Sequence, residues 1–147
     1  MAVFFDPRDD KAPPHLRAVS GECARWIGAS GNRYSAEIYP LGLALPPVPG
    51  VFIMARQRGP LAQSWTALYV GTDADTASAV REVRRHSHLW DFAVELGMTA
   101  IHLVTAAAGA AERHDVARDL IRSLLPSLNR ETAAMPRAGG ANLGVTT

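Results

Sequence analysis

The strongest constraint on the fold is a pair of apolar runs separated by a short polar stretch: "VFIMAR" at residues 51–56 and "WTALYVG" at 65–71. The first is β-branched and apolar. The second alternates Trp65, Ala67 and Tyr69 with Thr66, Leu68 and Val70. Gly59-Pro60 lies between them, so an antiparallel hairpin with a long loop is expected. A proline-rich lead-in ends at Pro49-Gly50, and the second run closes on Tyr69-Val70-Gly71. Glycines in these places permit a tight turn or the close approach of another group. Phe52 and Tyr69 suit a pleated surface.

The rest of the chain supplies helices and one more core strand. Residues 15–28 place Leu16, Val19, Cys23 and Ile27 at helical spacing, with Gly28 and Gly31 as the stop. "RYSAEIYP" alternates and ends at Pro40, which reads as a strand able to join a sheet edge. Asp73 or Asp75 can cap a helix from about 76 to 85. "LWDFAVELG" makes a second helix, stopped by Gly97, and "TAIHLVTA" a strand. From about 110, Val116, Leu120, Ile121, Leu124 and Leu125 form one helical stripe, closed by Pro126. The expected fold class is α+β: a small, three-stranded, mainly antiparallel sheet (51–56, 65–71 and 99–105) flanked by helices. Residues 1–44 form an N-terminal extension of arm, helix and strand, residues 45–131 the main domain, and 132–147 a disordered tail.

At 147 residues and 48% hydrophobic, the chain suits one domain with a real core. No apolar run reaches the roughly 18 residues of a membrane span, and the acidic start, with Asp6, Asp9 and Asp10, does not resemble a signal peptide. The single cysteine, Cys23, forms no internal disulfide, which fits a cytoplasmic location. Net charge is +1, so there is no overall basic field, although Lys11 is the only lysine among 15 Lys and Arg residues. Compositional bias accounts for that; arginine's fork also suits phosphate.

Taken in order, the lead-in "LPPVPGVF", the hairpin closing on "LYVG", two helices, a strand and the closing "DLIRSLLPSLN" resemble the GIY-YIG nuclease family. That family includes homing endonucleases and the N-terminal nuclease domain of the bacterial excision-repair incision enzyme. The resemblance covers about residues 45–131, with Gly50, Gly71 and Asn129 as motif positions. It implies a hairpin whose aromatics share one face, and cleavage of phosphodiesters with one divalent metal, magnesium or manganese, held by a single glutamate among tyrosines and an arginine.

Carried over residue by residue, the resemblance implies a degenerate member. The first-motif tyrosine falls on Phe52, which has no hydroxyl, while the second is kept as Tyr69. The arginine ten residues later falls on Ala79, with Arg81 and Arg84 near enough to substitute. The glutamate twelve residues before Asn129 falls on Ala117, whose methyl group cannot ligate magnesium. Ala117 is expected on the sheet-facing side of the last helix, looking toward Tyr69. Asp115 and Asp119 point away from that face, and Glu112, Asp73 and Asp75 are outlying acids.

Arg81, Arg84, Arg85 and His88 would share a face if one helix carried them, giving a phosphate-contacting surface or a solvated face partly paired with Glu82. His86 and His88 lack a third ligand at metal spacing. His102 reads as a core or sheet histidine, Trp26, Trp65 and Trp90 as core or sheet-face residues, and Cys23 as a small buried hydrophobe. No metal site or cofactor is expected. The leading expectation is a non-catalytic module that binds DNA, RNA or a protein. The alternatives are an active metal-dependent endonuclease with a relocated ligand, and a structural subunit docked through its first 44 residues.

Overall fold

The structure, a computed structural model, describes residues 23–58 and 64–134. Five strands are present there: β1 Cys23–Ile27, β2 Arg33–Pro40, β3 Gly50–Gln57, β4 Trp65–Asp73 and β5 Ala100–Val104. Four helices join them: α1 Thr76–His86 and α2 His88–Glu95 between β4 and β5, then α3 Ala110–Leu124 and α4 Ser127–Ala134. The fold is α+β. All strands form one sheet in the order β1-β2-β5-β3-β4, and every pairing is antiparallel.

The hairpin, the two helices and the third core strand stand where the sequence predicts them. The sheet is larger than the expected three strands, and two readings of the N-terminal segment are corrected. Residues 23–27 are strand, not the end of a helix. Ala24 and Trp26 are buried while Cys23, Arg25 and Ile27 are exposed, a period of two that the helical spacing of Cys23 and Ile27 concealed. Residues 15–22, the remainder of the expected helix, lie outside the described residues. β2 is no edge strand, because it pairs with β1 on one side and β5 on the other. At the other end the chain stays helical to Ala134, past the expected boundary at 131; residues 135–147 lie outside the described residues.

The sheet is covered on both faces. Val51, Ile53 and Ala55 of β3, with Val70 and Ala67 of β4, pack against Ala117 and Leu120 of α3. Phe52 and Met54, with Leu68 of β4, pack against Ala77, Val80, Leu89, Ala93 and Leu128 of α1, α2 and α4. Central strands buried on both sides need unbroken apolar runs, which is why "VFIMA" and "AIHLV" show so little polar alternation.

A bulge sets the side-chain directions of β4. Met54 pairs with Tyr69 but Ala55 pairs with Ala67, so Leu68 is an extra residue. The strict alternation read from "WTALYV" is therefore broken. Trp65, Ala67 and Val70 face α3, whereas Leu68 and Tyr69 both face the α1 and α2 side.

Candidate functional site

The bulge brings Tyr69 to the face that carries Phe52, and their ring centroids lie 6.3 Å apart. Phe52 pairs directly with Gly71. A Cβ at Gly71 would come within 2.5 Å of the Phe52 ring and 2.9 Å of the Tyr69 ring. The glycine therefore makes room for both aromatics. Gly50 has a similar role toward backbone, since a Cβ there would stand 2.7 Å from the Val104 carbonyl oxygen. The Gly50 carbonyl also accepts from the Thr72 hydroxyl at 2.9 Å. The proline-rich lead-in is tied to the start of α1 by Thr76. Its hydroxyl donates to the carbonyls of Pro46 and Val48 at 3.2 and 2.9 Å, and its N–H to Val48 at 3.0 Å.

Asn129 closes the outer edge of β4, the last strand of the sheet among the described residues. Its Oδ1 accepts from the Val70 N–H at 2.8 Å and its Nδ2 donates to the Val70 carbonyl at 3.0 Å, a side-chain substitute for one residue of a missing neighbouring strand. Leu125, left-handed at φ 46°, ends α3, and Pro126 follows. The turn carries the chain from the Ala117 face to the Phe52 face, where Leu128 is buried. Asn129→Ala is expected to cost about 1–3 kcal/mol, because two strand-edge groups lose their partners together. Urea denaturation checks this, with a lower midpoint and an unchanged slope expected.

Ala117 does not look toward Tyr69. It is buried at 7% exposure against Val70 and Leu120 on the opposite side of the sheet. The acids weighed as replacements act elsewhere. Asp119 accepts from the Ser30 N–H at 2.8 Å and from the hydroxyls of Ser30 and Tyr34 at 2.6 Å each, fastening α3 to the β1–β2 turn. The Ser30 and Tyr34 hydrogen bonds hold its carboxyl below the ordinary value, and burial together with Asp119 pushes the Tyr34 phenol up. Asp75 caps α1 through Ser78 N–H at 3.1 Å, and Asp73 accepts from Asp75 N–H at 2.9 Å. Glu112 reaches back to Gly109 N–H at 3.4 Å, and Asp115 lies 3.8 Å from Arg118 on the surface. Among the described residues no group of three or more His, Cys, Asp and Glu side chains could hold a metal.

The predicted basic surface is split by Ser87. That residue is extended, at φ −128° and ψ 134°, and is both the end of α1 and the N-cap of α2. His88 therefore opens a new helix and does not continue the spacing from Arg84. Arg85 remains exposed on α1. Glu82 lies 3.7 Å from His86 and not beside an arginine. Ala79 is half-buried against the Phe52-side core, at the position where the resemblance would put an arginine.

Arg81 and Arg84 instead flank a recess of about 160 Å³ between α1, Trp90 of α2 and the loop after β2. Its buried lining includes Leu45, Ala77, Val80 and Ile101. The Arg84 guanidinium lies over the Trp90 ring at 5.3 Å, and Arg81 donates to the Ser78 hydroxyl at 3.1 Å. Neither guanidinium is ion-paired among the described residues. The sequence marks Trp90 only as a core or sheet-face residue and gives residues 41–45 no regular period. The recess needs both, and only the break at Ser87 hints that Trp90 folds back beneath Arg84.

His102 lies fully buried in β5 on the α3 face. Its Nδ1 accepts from the Trp26 indole at 3.0 Å, and the Trp65 ring meets it edge-on at 4.4 Å. No family model, no curated protein and no solved structure matches the chain.

Proposed function

We propose that this chain is a GIY-YIG-like domain without nuclease chemistry that binds nucleic acid through the basic end of α1. The observation that carries the reading is the pair of guanidiniums, Arg81 and Arg84, which have no ion-pair partner among the described residues and lie on the same side of the sheet as Phe52 and Tyr69. The order of hairpin, two helices, strand and helix supports the family resemblance, as do the Phe52–Gly71 pair and the Asn129 clamp. Loss of catalysis follows from the side chains: Phe52 has no ionisable group, and Ala117 brings no carboxylate to the Tyr69 face. A DNA or RNA partner accords better with this surface than docking through residues 1–44, because residues 23–27 and 33–40 are already committed to the sheet. No helix of the described residues is long and apolar enough to cross a membrane. A cytoplasmic location belongs to the same proposal.

The test is a binding titration and a cleavage assay on the same preparation. Affinity is expected to fall with salt at a slope of about 0.9 per phosphate contacted on duplex DNA. Arg84→Ala is expected to lower that slope by about one unit and to weaken all sequences alike. No DNA or RNA cleavage is expected with magnesium or manganese. Metal-dependent cleavage abolished by Tyr69→Phe would replace this reading with that of an active enzyme. Absence of binding at low salt would favour a protein-docked subunit.

A further inference from the structure

We infer that the recess between α1, Trp90 and the loop after β2 receives one unpaired base of a single strand, with Arg81 and Arg84 holding the adjoining phosphates. The inference rests on the nucleic-acid reading above and narrows it from any polyanion to a strand with accessible bases.

The lining decides the occupant. Leu45, Ala77, Val80 and Ile101 are all buried apolar residues, while Arg81, Arg84 and Ala44 are exposed. Phosphate alone would satisfy the guanidiniums and leave the apolar floor unfilled. Uninterrupted duplex presents mainly phosphate and sugar to a surface of this kind, because its bases are stacked and paired. An unpaired nucleotide offers a flat, weakly hydrated ring and a phosphate a few bonds away, which matches an apolar floor edged by two cations. Size agrees: about 160 Å³ is well below the roughly 300–1,000 Å³ of pockets for drug-sized ligands and suits a single heterocycle. Trp90 adds an indole to the wall, and the Arg84 guanidinium against it supplies the cation-and-aromatic pairing used by proteins that bind single strands. No carboxylate lines the recess among the described residues, so nothing there repels an anion. Its floor and outer wall combine α1 with residues 40–45, so it depends on β2 being part of the sheet.

The experiment compares a fluorescent oligothymidylate with its duplex at one salt concentration, using the full chain. The single strand is expected to bind about tenfold tighter, given the usual worth of one base against an aromatic side chain. Binding is expected to quench tryptophan fluorescence, and Trp90→Phe to remove that quenching, since Trp26 and Trp65 pack on the opposite face. Ala44→Phe places a ring at an exposed lining position and leaves the core untouched. It is expected to abolish the single-strand preference while duplex affinity stays within about twofold. Equal affinity for both substrates, or an equal loss for both in Ala44→Phe, would overturn the recess as a base site while leaving phosphate binding by α1 intact. Failure of both substrates to bind would overturn this inference together with the reading beneath it.

Discussion

Ala117→Glu is expected to lose on the order of 3 kcal/mol of stability at neutral pH, with no recovery on adding magnesium. The family resemblance predicts the opposite for the metal: a restored glutamate would bind it and regain part of the stability. Position decides between them. Ala117 packs in the apolar layer between α3 and the sheet, with Val70 and Leu120, and Tyr69 lies beyond the sheet from it. A glutamate there would add four heavy atoms to a filled layer and bury a carboxylate without a donor. Desolvation would raise its pKa above the unfolded value of about 4.3. The unfolded state then holds fewer protons over that interval, so the loss grows as pH rises above about 4.3 and levels off above the folded value. Urea denaturation of both proteins at pH 7 and pH 5, with and without magnesium, checks all three points. Stabilisation of the glutamate variant by magnesium, absent from the parent, would show that the carboxylate reaches a metal and that the face assignment is wrong.

That prediction turns on what the sequence can reveal. Hairpin, helices and third core strand are readable because each has its own period and its own stop signals: Asp75 before α1, Gly97 after α2 and Pro126 after α3. The strand at 23–27 was hidden because Cys23 and Ile27, four apart, satisfy a helix as well as a strand. The buried residues that settle the matter are Ala24 and Trp26. The bulge at Leu68 leaves no mark in "WTALYV", since every residue there tolerates either face. Only pairing with Met54 and Ala55 reveals it. Face assignments along β4 were therefore beyond a period-two reading. Offsets along α3 fixed Ala117 relative to Asn129, but the left-handed turn at Leu125 carries Asn129 to the β4 edge and α4 to the Phe52 side. Linear spacing gives the offset between Ala117 and Asn129 but not the direction in which each side chain faces. The arginine patch was legible as charge. The recess it flanks was not, because it is assembled from the loop after β2, α1 and α2, three segments distant in sequence.

Acid is expected to weaken the fold through His102 before it acts on the carboxylates. The imidazole is fully buried, and desolvation lowers its pKa from 6.5 to about 4. Its Nδ1 is occupied by the Trp26 indole proton, so the ring proton sits on Nε2, which has no hydrogen-bond partner within the described fold. Protonation would have to take the nitrogen that now accepts from Trp26, which would break that bond and leave a cation between two indoles. Between pH 6.5 and about 4 the unfolded chain binds the proton and the folded chain does not, so stability falls as pH falls through this window. The slope approaches 1.36 kcal/mol per pH unit, and the loss totals about 3 kcal/mol by pH 4. Asp119, with its pKa lowered, is lost in the same direction but only below the carboxylate's ordinary 3.8, so the two windows are separable. Urea midpoints measured from pH 7 to 4.5 are expected to decline steadily. His102→Gln is expected to be less stable at pH 7, since Trp26 needs an acceptor in the same place, yet flatter with pH because the titrating group is gone. A parent protein whose stability is constant from pH 6.5 to 4.5, or a His102→Gln variant that keeps the full slope, would remove His102 from this role.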